Sequence, residues 1–516
     1  MRLAVIDVGT NSCHLLVADV GADGAISVIE KQREQVELGE GGIGENRLAP
    51  AAFRRGLDAM TKFRTALDIL DVEAVHTAAT SAVREAENGD EFCRTVRART
   101  GISLRVISGR EEARLVWLGT RAGIDFRGGE ALLLDLGGGS LEFVVCSADE
   151  VRVEATLPLG HIRIAERFHR ADPFGRDEVA EARAATRREL EKLPKAIREA
   201  GAAIVVGTSG SIRSLARMAT IARGASPPDH DRGLVLDRAE LEAIVRDLTT
   251  RRASRYPEMP GFDLKRKRTL PAAAVTLAET MDFLRVDQLV TTDLSLRDGL
   301  ILEWIRAHRP ELALAEAEPD PRRRGVLGMI ERYQADSAHA GQVARLALAV
   351  FDGLSSIHGL EPVDREILEF GALLHDVGRY IGHEDHHRHG QYLVRNTPMP
   401  GLTAPEVALL ACLVRYHRGG RPKSTHPEVA ALPPRDRRAL TTLAGILRIA
   451  DALDRSRGGL VLDVEVALSR GRVDILARAR ESAPLERWAA LQRADVLASA
   501  LQREVVVTLA EVGPTG

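Results

Sequence analysis

Apolar residues in the first 300 positions come in short runs, each closed by small or charged residues. RLAVIDVG, SCHLLVADV and AISVIEKQREQVEL read as three successive strands of a hairpin meander, since runs rich in Val, Ile and Leu suit a pleated, half-buried surface. A helix is expected over residues 51–70, a strand in VEAVHTAATSAV, a helix over 85–100 and a strand in SLRVIS. The pattern restarts near residue 130 with ALLLDLGGGSLEFVVC and VRVEATLPLG, then a charged helix over 177–200 and the strand AIVVGTSG. Strands alternating with helices indicate α/β folding. The charged, Pro-containing stretch LALAEAEPDPRRR (312–324) marks a boundary. Beyond it the spacing is helical, over 339–351, 364–375, 404–416 and 437–454. From about residue 460 the tail is strand-rich (LVLDVEVAL, RVDILARA, REVVVTL), with a helix around 486–501. The expected organisation is lobe I (1–126), lobe II (127–310), a helical domain (311–458) and a small mixed α/β domain (459–516).

Two of the strand runs end alike. VIDVGTNS (5–12) and LLDLGGGS (133–140) each deliver an Asp, Asp7 or Asp135, into a small-residue bend. Such a bend supplies a carboxylate that can face a metal and backbone N–H groups free to cradle phosphate. In the first, Gly9 allows close approach, and Thr10, Asn11 and Ser12 can donate to oxyanions; the second has Gly137, Gly138 and Gly139 before Ser140. Either bend alone is equally a tight hairpin turn; the pair, more than a hundred residues apart, suggests two similar lobes closing on one phosphate-bearing ligand. Glu142 is an exposed strand residue or a third carboxylate turned to that ligand.

Between the bends, ISGREEARLVWLG places Ser108 and Glu111 as a capping box. Glu112 has no such structural task, and is either an exposed first-turn acid favoured by the helix dipole or a base able to deprotonate water. Arg84 in TSAVREAEN is a bidentate phosphate partner or a solvated cation. Thr208 and Ser209, in the GTSGS segment opening a helix, form a third anion contact or a plain cap.

Composition narrows the class. With 516 residues, 45% hydrophobic and 28% charged, the chain is of ordinary globular composition and too long for one core. A net charge of −3 argues against a bulk-cationic nucleic-acid binder. The four cysteines (Cys13, Cys93, Cys146, Cys412) show no metal-ligand spacing and read as thiols of a reducing compartment. With no bilayer-length apolar run and a chain that opens directly into a strand, a cytoplasmic protein without a signal peptide is expected.

The ordered segments DVGTNS, TSAVREAEN, ISGREEARL, DLGGGSLE, LPLGHIR, GTSGSIRSLAR and TTDLSLRDGL, over residues 1–305, resemble the exopolyphosphatase and guanosine pentaphosphate phosphohydrolase family of the actin–hexokinase-like superfamily. The resemblance implies a two-lobed α/β N-terminal half with phosphate on both glycine bends and on Arg84, Glu112 as catalytic base, and Asp7, Asp135 and Glu142 placing Mg²⁺ or its waters. It implies Mg²⁺-dependent release of the terminal phosphate of inorganic polyphosphate; a guanosine pentaphosphate 5′-phosphohydrolase or a phosphate sensor without turnover is the alternative. A homodimer is the default assembly.

In the helical part, His339, His375, Asp376 and Asp451 resemble the H…HD…D signature of the HD phosphohydrolases, and YHRGG around His417 resembles their larger metal sites. The resemblance implies an all-α HD-like domain, its residues either holding a second divalent metal or hydrogen-bonding one another in a vestigial scaffold. The basic runs 265–268 and 322–324 line a polyanion path or are solvated faces.

Overall fold

Strands β1 (Arg2–Val8), β2 (Ser12–Val20) and β3 (Ile26–Gln35) form the expected antiparallel meander, and β4 (Ala74–Ala79) lies parallel to β1. The computed structural model describes residues 1–21, 26–42, 46–126, 129–308 and 320–511. A second sheet repeats this opening: β5 (Ala131–Leu136), β6 (Leu141–Cys146) and β7 (Val151–Leu157) form a meander, and β8 (Ile204–Thr208) lies parallel to β5. β9 (Val235–Asp237) and β10 (Gln288–Thr291) extend it, giving the orders β3-β2-β1-β4 and β7-β6-β5-β8-β10-β9.

Strand periodicity decides which way the site residues point. On β1, Ala4, Ile6 and Val8 pack into the outer core of the first sheet with Phe63 and Phe92, while Leu3 and Val5 face a second core. That second core also takes Leu16 and Ala18 from β2, Leu133 from β5, Val144 and Cys146 from β6, and the helices Gly109–Thr120 and Leu296–His308. Residues of the same parity continue each row beyond the apolar part: Asp7 after Leu3 and Val5, His14 before Leu16, Asp135 after Leu133, Glu142 before Val144. The register makes Asp7 the cross-strand partner of His14, and Asp135 that of Glu142. The two sheets therefore place equivalent polar pairs at the ends of strands whose remaining residues build a shared core.

Several segments depart from expectation for local reasons. VEAVHTAATSAV is a strand only to Ala79 and then turns into the short helix Ser81–Glu85, so the next helix begins at Gly89. SLRVIS makes a single bridge, Ala79 to Val106, because β4 pairs there through Ala79 alone before the chain enters the helix at Gly109. The charged helix stops at Leu190 ahead of Pro194, and the tail helix is two, Pro484–Leu491 and Asp495–Leu501.

The chain divides into two compact units, Met1–Pro227 with Asp231–Pro319, and Pro228–His230 with Asp320–Gly516. The expected 310/311 boundary and residue 127 lie outside the described residues. In the second unit the helices Ser337–Gly353, Pro362–Leu374, His386–Asn396, Ala404–Tyr416 and Pro434–Ala452 surround an apolar core. β11 (Val461–Ser469), β12 (Arg472–Ala479) and β13 (Glu504–Glu511) share that core through Val461, Ile475 and Val507. Among the described residues no helix is long and apolar enough to cross a membrane.

Candidate active site

The turn closing β1–β2 and the turn closing β5–β6 are built alike. Gly9 N–H donates to the Ser12 carbonyl at 3.2 Å, and Gly137 N–H to the Ser140 carbonyl at 3.0 Å. They meet across one cleft. A Cβ added to Gly138 would stand 3.0 Å from Thr10 Cβ and 3.3 Å from Asn11 N, so only glycine lets the second bend come this close to the first. His161 and Ile162 donate backbone N–H to the carbonyls of Gly137 and Gly138, fixing the second bend from behind. Arg163 donates to the Gly139 carbonyl and pairs with Glu85.

The cleft encloses about 350 Å³ and is lined by both bends, from Gly9 to Ser12 and from Gly137 to Ser140, together with Asp7, Asp135 and Glu112. Glu112 sits in the first turn of the helix Gly109–Thr120, with its side chain 12% exposed. Ser108 caps that helix by accepting from Glu111 N–H. The reciprocal half of the expected capping box is missing, because the Glu111 carboxylate pairs with Arg105 instead. Arg84 donates to Glu112 Oε2 at 2.8 Å and to the Ile107 carbonyl at 3.0 Å. It holds the base in place and is not among the cleft-lining residues. Thr208 is likewise fully buried beside Asp135 in the parallel register, behind the wall rather than on it. Ser209 does reach the cleft, in the left-handed backbone region (φ 81°), where its hydroxyl accepts from Ile212 N–H.

The carboxylates crowd one another. Burial pushes the Asp7 carboxyl up to about 6, with Arg297 pulling it back. Burial pushes Glu112 up to about 7 against the pull of Arg84. Burial also raises Asp135, and Glu142 lies well above the ordinary range through burial and the neighbouring Glu112 and Asp135. Glu142 Oε1 is buried with no hydrogen-bond partner among the described residues. Glu142 is not among the cleft-lining residues, and among the described residues Asp7, Asp135 and Glu142 do not form one compact ligand set. The unpaired buried oxygen is the feature there that a hard divalent cation would satisfy.

The lining is also cationic, with Arg33 from β3, Arg213, Arg266 and Arg297, of which Arg297 acts on Asp7 and Arg213 on Asp135. Arg266 lies over the start of the helix Gly210–Ala222, so close that a Cβ on Gly210 would fall 1.7 Å from its Nη2. A cation at a helix N-terminus opposes the dipole unless an anion lies between them. Burial and Arg33 push the Arg266 guanidinium down to about 10. His14 accepts from Arg297 at Nδ1 (3.3 Å) and is 2.9 Å from Ser12 Oγ at Nε2, and burial with Arg297 holds it neutral. These cations come from segments remote in sequence, and only Arg266 lies in one of the basic runs, 265–268. In the companion run, Arg322 is buried between Glu366 and Glu406, and Arg323 pairs with Glu369.

In the second unit the predicted set also converges. His339, His375, Asp376 and Asp451 surround one point, joined by His386 and His417, while His383 is exposed.

Paired glycine bends, clustered acids and a wall of guanidinium groups in one cleft define a protein that handles phosphate. The chain belongs to the Ppx/GppA phosphatase family: residues 16–308 match that family and residues 322–496 match Ppx/GppA phosphatase, domain III. An exopolyphosphatase from Cytophaga hutchinsonii is 26% identical over 60% of this chain and 98% of its own, with a TM-score of 0.56. The Aquifex aeolicus member of the Ppx/GppA family is 26% identical over 60% and 99%, with a TM-score of 0.51. An exopolyphosphatase-like protein is 25% identical over 59% and 97%, with a TM-score of 0.54.

Gly210→Ala forces Arg266 from its seat, and is expected to weaken binding of inorganic tripolyphosphate on the order of tenfold by calorimetry. Unchanged affinity would place Arg266 outside the anion path.

Proposed function

We propose that the chain is an exopolyphosphatase, hydrolysing the terminal phosphoanhydride of inorganic polyphosphate to release orthophosphate. The observation that carries this reading is that one cleft joins the two glycine bends, a held base and buried acids with several arginines. A polyanion laid along it puts successive phosphates on Arg213, Arg266 and Arg297 while its end lies between the two bends. The lining also speaks to substrate class. Among the described residues its only aliphatic side chains are Leu136, Leu294 and Leu296, and no Phe, Tyr or Trp is present to stack a base. That favours a phosphate chain over a guanosine nucleotide.

The reaction follows from the chain's own groups. A water hydrogen-bonded to Glu112 attacks the terminal phosphorus, its proton passes to the carboxylate, and the bridging P–O bond breaks toward the shortened chain, which leaves with the negative charge. N–H groups of the glycine bends stabilise charge on the phosphoryl oxygens. Arg84 keeps the Glu112 carboxylate aimed and lowers its proton affinity. Asp7, Asp135 and Glu142 would hold Mg²⁺, which when bound supplies neutralisation of phosphoryl charge.

Purified protein with Mg²⁺ is expected to release phosphate from long-chain polyphosphate much faster than from guanosine pentaphosphate; the reverse order would assign the nucleotide reaction. Glu112→Gln should lower kcat by roughly 10²- to 10⁴-fold with little change in KM. Phosphate release that Glu112→Gln abolishes would exclude a sensor without turnover. Because the base must be ionised, kcat/KM falls as pH drops through its acid limb, which lies above the ordinary 4.5 of glutamate. Arg84→Ala removes the charge that holds the carboxyl down, so the limb moves to higher pH. Mg²⁺ should raise the thermal midpoint of the wild type more than that of Glu142→Gln; equal shifts would remove Glu142 from the cation site.

A further inference from the structure

One histidine of the cleft has hydrogen bonds that fix the direction in which its neighbours donate. His14 lies in β2, cross-strand from Asp7, and lines the cleft beside the first glycine bend. Its Nδ1 is 3.3 Å from Arg297 Nη1, and its Nε2 is 2.9 Å from Ser12 Oγ. A guanidinium only donates, so Nδ1 presents its lone pair to Arg297. The ring is therefore neutral, and its single hydrogen sits on Nε2. Burial and the surrounding Arg297, Arg33, Arg213 and Arg266 also disfavour a second proton. Nε2–H in turn donates to Ser12 Oγ, which leaves the hydroxyl hydrogen of Ser12 to be given elsewhere.

Where that hydrogen goes is set by the bend. Ser12 is buried and lines the cleft, and His14 is the one side-chain partner of its Oγ among the described residues. A buried hydroxyl hydrogen without an acceptor is costly, and a phosphoryl oxygen between the two bends would accept it. His14 acts differently on Arg297. A carboxylate partner would orient that guanidinium and offset its charge, whereas a neutral imidazole orients it without adding negative charge. The series runs one way, from Arg297 through His14 and Ser12 toward the space between the bends. Hydrogen bonds in such a chain polarise one another, and donors aimed in advance stabilise developing charge without the cost of reorganisation.

We propose that His14 is a positioning residue for phosphoryl transfer, which makes the Ser12 hydroxyl a committed donor to the terminal phosphoryl oxygens and holds Arg297 toward the same ligand. The Nε2 hydrogen stays on the ring throughout, and Ser12 Oγ donates without bonding to phosphorus. The inference rests on the cleft holding polyphosphate as proposed above. His14 and Arg297 stand 283 positions apart, so their pairing exists only in the fold.

The test uses the full chain labelled with ¹⁵N-histidine, the His14 resonances being assigned by their absence from His14→Gln. Imidazole NMR of the ligand-free protein is expected to show a protonated Nε2 and a bare Nδ1. The opposite tautomer or an imidazolium, read on the parent whether or not any variant folds, overturns the inference. In hydrolysis of polyphosphate with Mg²⁺, His14→Leu should lower kcat on the order of tenfold with little change in KM. A Gln amide can accept from Arg297 and donate to Ser12, so His14→Gln should recover most of that loss, which a merely structural role would not allow. Ser12→Ala joined to His14→Leu should cost less than the product of the two single losses, and a full product overturns the action through Ser12. With an active parent and variants of unchanged thermal midpoint, His14→Leu as fast as wild type, or His14→Gln no faster than His14→Leu, overturns this inference alone. A parent that releases no phosphate from polyphosphate overturns the exopolyphosphatase reading and this one with it.

Discussion

Crowded like charge is the constraint on which this structure depends. Asp7, Asp135, Glu112 and Glu142 are buried close enough to raise the proton affinity within the group, and Arg33 and Arg213 lower that of Arg266. Neither group is stable by itself away from water, since an uncompensated buried charge costs several kcal/mol, about as much as a small domain can spare. A cation among the acids and a polyanion on the arginines offset both at once. The cleft thus holds stored electrostatic energy that a ligand of the right charge pattern releases.

The site is rigid because it is the end of the core. Asp7 and Asp135 are the next residues in apolar rows, Leu3–Val5 and Ala131–Leu133, that the alternating pleat already faces inward. Glu112 rides on a helix whose Leu115, Val116 and Leu118 are packed in the same core. Small movements of the reacting groups would therefore require the hydrophobic packing of both lobes to shift, and close-packed interiors resist that.

Much of this was legible in the sequence because it is local. A bend that turns from strand to strand through small residues needs no long-range information, and both bends and Glu112 read directly from such runs. What could not be read depends on the fold. Arg33, Arg213 and Arg297 are far apart in the chain and resemble any surface arginine until the sheets bring them to one wall. Arg84 reads as a cation in the sequence, but its contact with Glu112 is set by the Ser81–Glu85 helix, which the strand-like run TAATSAV conceals. In the helical unit, a run of nearby histidines gives no sign that only His386 turns to the buried centre.

The most direct measurement is a crystal structure of the full chain with Mg²⁺ and a non-hydrolysable imidotriphosphate. The expected result is a terminal phosphoryl group between the two glycine bends, a water bridging it to Glu112, and the following phosphates on Arg213, Arg266 and Arg297. A ligand bound away from either bend, or a Glu112 carboxylate turned from the terminal phosphorus, would contradict the proposed chemistry.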